Sequence, residues 1–351
     1  MVSKNNNNMD KILTIVVPTY NMEVLLEKDL MSLVVNMKLM EFLEILIVND
    51  GSKDASSMIG HKFQEVYPNT FRIIDKPNGN YGSCINRGLK EARGKYIKIM
   101  DADDTYEKDG LEKLIELLMG TDYDLVLTDV IVDFVKKKKQ TLLALDLQED
   151  KVLSFEQFSN CNTNLLSMHA ITYKTELLRS ICYMQTEGIS YTDQEWLFMP
   201  MIAIETVYYL KQPVYHYNIG RDGQTMDRKT VLKSVSQREK ILCRMFEQIS
   251  DSPVSLGHAH IKYLTDRMKF MIRRLYEDYI VKTPMSNSKE LIVFDNKLKE
   301  FNLDLYSWAN SLKMPLINKY YYVDAWRRQS KLRMIPVNVY GAFFRLMAKV
   351  L

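Results

Sequence analysis

Short apolar runs that each stop at a polar cluster, with a helical stretch before the next run, constrain this chain more than any other feature. Ile12–Val17 (ILTIVV) stops at Pro18-Thr19-Tyr20-Asn21 and is followed by helical spacing through Val24, Leu25, Leu30, Leu33 and Val34. Ile45–Val48 ends at Asn49-Asp50-Gly51-Ser52. Phe71–Ile74 runs into a Gly- and Asn-rich turn at 77–82, and a helix over about 83–93 closes at Gly94. Tyr96–Met100 ends on Asp101-Ala102-Asp103-Asp104, a helix covers about 109–119, and Asp124–Leu127 opens a fifth strand. Runs this short, continuous and rich in β-branched residues suit strands buried on both faces. Their alternation with helices predicts an α/β domain with a mainly parallel sheet. Ligands of such sheets bind beyond the carboxyl ends of the strands, where this chain gathers its polar clusters.

The remainder is less regular. A strand is expected near Ala170–Tyr173, a helix from Gln194 to about Ile204, a strand near Val207–Leu210, and a separate short strand at Pro213–Tyr217 before the loop Gly220-Arg221-Asp222-Gly223. Lys136–Lys139 is expected as a solvated loop. Helical spacing then dominates: Val231–Ile249, Ile261–Ile280 and Leu291–Phe301. The expected organisation is a frayed tail over 1–10, an α/β domain over 11–228 and a helical region over 229–351. The first domain is expected to divide near residue 125.

Composition excludes several classes. Of 351 residues, 46% are hydrophobic and 26% charged, a globular balance rather than a disordered one. A net charge of +3 gives no electrostatic ground for nucleic-acid binding. Cys84, Cys161, Cys182 and Cys243 form no CxxC pair, which suits free thiols in a reducing cytosol. MVSKNNNN lacks the apolar core of a secretory signal, and no apolar stretch reaches the roughly 18–20 residues that span a bilayer. A cytoplasmic protein is expected, peripheral on the inner face of the membrane if its last segment docks there. That segment, 319–351, holds seven Lys and Arg against Asp324 and is rich in Tyr, Trp and Phe, which suits an anionic lipid surface. Pro336 and Gly341 are expected to interrupt a single helix there.

Each polar cluster has a chemical and a bland reading. Asp101 and Asp103, one residue apart at a strand end, can share a divalent cation, since Mg²⁺ and Mn²⁺ take oxygen ligands and share them with phosphates. The bland reading is a cap for the next helix, and Asp104 keeps it. Asp50 can accept hydrogen bonds from a base or a ribose, with Gly51 permitting the tight turn; the bland reading is a strand-to-helix turn. Neither a GxGxxG fingerprint nor a P-loop is present. His258 and His260, two apart, do not share a helix face and are expected at the surface.

Together, PTYN after the first strand, VNDGSKD after the second, the Gly/Asn turn after the third and MDADD after the fourth resemble the family 2 glycosyltransferases, with a GT-A nucleotide-sugar-binding domain. The resemblance covers roughly residues 12–125, and 165–225 more loosely. It implies an α/β, GT-A-type fold with a Rossmann-like sheet and a mostly helical C-terminal region, the catalytic domain over 11–228 binding the nucleotide sugar through 11–125 and the acceptor through 126–228. It also implies an inverting transfer from a nucleotide sugar, typically UDP-linked, with Mg²⁺ or Mn²⁺. Pro18, Tyr20 and Asn21 match the motif that lines the base, and Asp50 the acid that faces base or ribose. Asn78 and Asn86 match polar positions of the donor-side turn, in which Asn80 and Tyr81 stand where some bacterial members have Gly and His. Asp101, Ala102 and Asp103 match the DxD motif, with Asp103 as metal ligand and Asp101 on the ribose and the metal's waters. Asp193, in SYTDQEWLFMP, matches the catalytic base, with Thr192 where most relatives carry an acid and Glu195 as a competitor or acceptor contact. A carboxylate at a helix N-terminus is kept ionised by the dipole, as a base requires. His169 is expected to line the acceptor cleft, Arg221 to clamp the diphosphate, and His216 to reach metal or diphosphate. The acceptor implied is a glycan or lipid-linked glycan of cell-surface polysaccharide, teichoic-type polymer or glycoconjugate. Two other readings compete: a nucleotidyltransferase, for which PTYNMEVLL offers no basic residue, and a nucleotide-sugar-binding scaffold without turnover, against which the intact acids argue.

Overall fold

A computed structural model describes residues 11–163, 166–189, 192–220, 235–250, 256–282, 288–314, 317–329 and 331–347. Its centre is a ten-stranded sheet ordered β3-β2-β1-β4-β9-β6-β10-β5, with β7 paired to β6 and β8 to β10. The strands are β1 (Leu13–Thr19), β2 (Leu43–Asn49), β3 (Phe71–Asp75), β4 (Tyr96–Ile99), β5 (Thr105–Tyr106), β6 (Leu125–Phe134), β7 (Lys139–Leu143), β8 (Val152–Ser154), β9 (Ile171–Lys174) and β10 (Thr206–Ile219).

The expected parallel half is present. β3, β2, β1 and β4 pair in parallel, and every residue of β1 and β2 is buried, which is why those runs show no polar alternation. The other half is mixed: β9 runs antiparallel to both β4 and β6, and β5 antiparallel to β10. β2 and β4 lie on opposite sides of β1, so connections diverge there and leave a crevice at the strand ends. Thr19–Asn21, Asp50 and Asp101 all stand at that edge.

Several boundaries differ from the sequence reading. The first helix spans only Leu26–Met31, and Val24 is exposed. The helix expected from Gln194 is a single turn, Asp193–Trp196, followed by a 3₁₀ turn at Met199–Ile202 that contains Pro200. Proline has no N–H to continue the helix ladder. Val207–Leu210 and Pro213–Tyr217 are one strand, β10, whose register against β6 shifts on either side of Pro213. A bulge is where a strand tolerates a residue without a donor. Lys136–Lys139 is exposed, but as the 3₁₀ turn and first residue of a β6–β7 hairpin.

Two compact units emerge, Met1–Gln224 with Val254–Ile261, and Thr225–Pro253 with Lys262–Leu351. His260 belongs to the first and is buried rather than at the surface: its ring stacks on Phe155 at 4.2 Å and its Nε2 faces the Ile204 carbonyl at 3.0 Å. In the second unit the described residues form helices Val235–Ser250, Lys262 onward to Tyr276, Lys289–Phe301, Leu303–Ala309, Tyr322–Arg327 and Lys331–Met347, with a small β11–β12 pair (Lys313–Met314, Ile317–Tyr321). Pro336 lies inside the last helix without ending it. Among the described residues no helix is long and apolar enough to cross a membrane.

Candidate active site

The turns after β1, β2 and β3 are knitted to one another. Gly51 and Asn21 both take positive φ (72° and 53°), and Asn21 Oδ1 accepts from the Lys53 N–H at 2.8 Å. The side chain of Asn21 therefore fastens the first turn to the second, while Tyr20 is left exposed at the rim and Pro18 is buried in β1. Asp50 is buried. Its Oδ1 accepts from the Gly79 N–H at 2.9 Å and from the ammonium of Lys76, which also donates to Ser83 Oγ at 2.8 Å. Asn78 donates through Nδ2 to the Asp50 carbonyl at 2.9 Å. Lys76 was not anticipated, although a lysine ending the third strand is a natural counter-ion for an acid ending the second. Asn86, expected to face the donor, instead bonds Gln185 and Glu187.

Residues 101–106 alternate between part-exposed and buried, with Asp101, Asp103 and Thr105 outward and Ala102, Asp104 and Tyr106 inward. Ala102 and Asp103 make a tight turn closed by the Asp104 N–H donating to the Asp101 carbonyl at 3.1 Å, and strand begins again only at Thr105–Tyr106. Since the N-cap of the next helix, Lys108–Met119, is Glu107, Asp104 is not a helix cap. It is fully buried, accepting from Tyr215 Oη–H at 2.8 Å and from the Asn218 N–H at 2.7 Å. Burial, then the charges of Asp101 and Asp103, hold its carboxyl well above the usual carboxylate range. Its partners, Tyr215 and Asn218, lie 111 and 114 positions away, so no local pattern in DADDTY announced it.

Asp101 Oδ1 accepts from Tyr81 Oη–H at 2.6 Å, and its Oδ2 lies 3.9 Å from His169 Nε2. Burial raises the Asp101 carboxyl, and the Tyr81 bond opposes the rise. His169 is buried, stacked on Tyr215 at 4.4 Å and tilted against Tyr217 at 4.8 Å. Burial first, and then the charge of Lys98, pull its imidazole down to about 3, so the ring is neutral at physiological pH. Its Nδ1 is buried with no hydrogen-bond partner among the described residues. Ligand atoms of Asp101, Asp104 and His169 lie within 4.8 Å of one another. Carboxylate oxygens with a neutral imidazole fit Mg²⁺ or Mn²⁺. Asp103 is close enough for its charge to act on His169, Asp104 and Tyr217, and its carbonyl accepts from Asn218 Nδ2 at 3.1 Å.

Asp193 opens the one-turn helix, with Thr192 at the N-cap position. Its charge raises both Tyr81 and Tyr217, after burial and Asp101, so Asp193 and Asp101 act on the same tyrosines. Two candidates stand elsewhere. His216 lies between Asp133 Oδ2 (2.7 Å from Nδ1) and Glu107 Oε2 (3.0 Å from Nε2). It follows Tyr215 in the strand and so takes the face opposite the acid cluster. Glu195 is fully buried against Thr186, which removes it from contact with an acceptor. Arg221 lies outside the described residues.

Residues 14–179 match the family model described as glycosyl transferase family 2. The chain is 29% identical to an uncharacterized glycosyltransferase, the MG060 homolog of Mycoplasma pneumoniae, over 70% of this chain and 81% of that protein. It is 25% identical to the minor teichoic acid biosynthesis protein GgaB of Bacillus subtilis, over 61% of this chain but 23% of that longer protein. A crystal structure of S. aureus TarS in complex with UDP-GlcNAc superposes with a TM-score of 0.60 at 20% identity, over 83% of this chain and 80% of that one. The fold is GT-A, and residues 14–179, just under half of the chain, resemble glycosyl transferase family 2.

Proposed function

We propose that the protein is an inverting glycosyltransferase that moves a sugar from a UDP-sugar to a hydroxyl of a teichoic-type or other cell-surface glycan. The observation that carries this reading is the gathering of Asp50, Asp101 and Asp103 at the strand ends of one sheet edge, with Asp193 near enough that its charge acts on Tyr81 and Tyr217 together with that of Asp101. The neighbour bound to UDP-GlcNAc supports a uridine donor, and the GgaB relative supports a teichoic-type product.

In this mechanism Tyr20 stacks on the base, and Asp50, held by Lys76 and Gly79, accepts its N–H. Asp101, braced by Tyr81, accepts from the ribose. Asp193 takes the proton of the acceptor hydroxyl as its oxygen attacks the anomeric carbon. The sugar–phosphate bond breaks on the opposite face, so UDP leaves and the proton rests on the Asp193 carboxylate. A divalent cation held by Asp103 and Asp101, with Asp104 and His169 beside them, would neutralise the diphosphate as its charge develops.

Asp103→Asn and Asp193→Asn are each expected to lower turnover by about 10²–10⁴-fold in a UDP-release assay run with candidate UDP-sugars, acceptor and Mn²⁺. Near wild-type turnover in both would sink the assignment. Release of pyrophosphate in place of UDP would support the nucleotidyltransferase reading, and UDP binding without turnover the scaffold. Contact of 319–351 with an anionic membrane surface is part of the same proposal. It is supported by the exposed Tyr320, Tyr321, Ile335 and Val339.

A further inference from the structure

Glu195 lies two residues beyond the assigned base and is fully buried. Both its carboxylate oxygens bind one residue: Oε2 accepts from the Thr186 N–H at 2.7 Å and Oε1 from Thr186 Oγ–H at 2.6 Å. Burying a carboxylate is costly unless its oxygens are satisfied, and breaking such a pair exposes that cost. Thr186 belongs to a strap, residues 183–188, that is fastened in two directions. Toward the base, Thr192 Oγ–H donates to Gln185 Oε1 at 2.8 Å. Toward the donor side, the Gln185 N–H donates to Asn86 Oδ1 at 2.8 Å, Asn86 Nδ2 returns a bond to the Gln185 carbonyl at 3.0 Å, and the Gly188 N–H donates to the Gly79 carbonyl at 3.1 Å. The strap packs so closely on the Asn80–Glu91 helix that a Cβ at Gly82 would stand 2.2 Å from the Thr186 carbonyl oxygen. Gly79 is itself a donor to Asp50. One chain of hydrogen bonds thus runs from the acid assigned to the base of the nucleotide to the turn that carries Asp193.

We infer that Glu195 and Thr186 are positioning residues, whose paired bond sets Asp193 at a fixed place relative to the bound donor. The inference rests on the reading of Asp193 as the base. Neither residue touches substrate; each acts by holding the helix turn that bears the carboxylate. Misplacement of a reacting group by about 1 Å costs on the order of a hundredfold in rate, so the bond is worth its burial.

The test is steady-state transfer with the donor found in the UDP-release screen, together with UDP affinity by calorimetry, for Glu195→Gln, Thr186→Val and Thr186→Ser. Both near-isosteric losses should lower kcat by about tenfold to a hundredfold while UDP affinity stays within about twofold. The acid limb of their kcat–pH profile should move, because the surroundings of Asp193 change. Thr186→Ser, which keeps the hydroxyl, should restore both rate and profile. The double variant should cost no more than the worse single one, as expected for one shared interaction. Unchanged kcat in both losses would overturn the inference. So would a joint fall of kcat, UDP affinity and melting temperature, which would mark the bond as serving stability alone. Asp193→Asn run in parallel separates the two levels. If it remains active, the base assignment fails. If it is inactive while Thr186→Val is not, only the positioning role fails.

Discussion

Lys98 is a lysine in the middle of β4 with no exposed surface, donating to the carbonyls of His169 and Ile171 beneath the acid cluster. Burial pulls its ammonium down from 10.5 to about 7. Between those values the unfolded chain holds a proton that the folded chain lacks, so stability rises with pH across that window and is flat below it, where both states are charged. The slope is at most about 1.4 kcal/mol per pH unit. Urea unfolding at several values between pH 7 and 9 should show wild type gaining on Lys98→Met; parallel curves would refute the assignment. Nothing in YIKIM announced this arrangement. A lysine inside an apolar run is legible as an oddity, but its partners lie 71 and 73 positions away. The acids at the strand ends were legible because they sit where the strand pattern breaks. Lys76 and the strap contacts were not, since their pairing depends on how distant turns come together.

At the scale of elements, close backbone packing sets the tightest limits. Gly110 lies within the Lys108–Met119 helix where that helix meets β10, and an added Cβ would stand 2.0 Å from the Pro213 carbonyl oxygen. Backbone cannot yield as a side chain can. Gly110→Ala is therefore expected to cost about 1–3 kcal/mol or more. Gly120→Ala, whose Cβ would meet nothing nearer than the Leu117 carbonyl at 4.0 Å, should stay within about 0.5 kcal/mol. Urea midpoints of the two variants give the comparison, and equal midpoints would contradict it. The strands of the parallel half were legible because burial on both faces leaves continuous apolar runs. The later elements were harder. Trp196–Ile202 is apolar enough for a helix, yet Pro200 denies it the ladder, and Pro213 suggested a break where β10 merely shifts register.

At the scale of the whole molecule, the basic segment near the C-terminus divides by role. Arg327 is nearly buried in its unit, donating to Asp295 at 2.7 Å, to the Tyr306 carbonyl at 2.7 Å and to Asn310 Oδ1 at 2.8 Å. Removing it leaves Asp295 without its counter-charge, so Arg327→Met should cost about 3–5 kcal/mol in urea unfolding. Ile335 and Val339 are one turn apart on an exposed helix face. Glu at both positions should reduce flotation with anionic vesicles and leave the urea midpoint unchanged; undiminished flotation would refute the lipid contact.

The family match ends at residue 179, after Asp50, Asp101 and Asp103 but before Asp193. The turn that carries Asp193 therefore lies in sequence that the family model does not cover. The strap lies just past that seam and bonds backward across it to Asn86 and forward to Glu195. A graft between relatives that divides it would carry over the Asp193 turn without its footing, so the junction belongs upstream of residue 183, and the graft must bring Thr186 and Glu195 together and meet an asparagine at position 86.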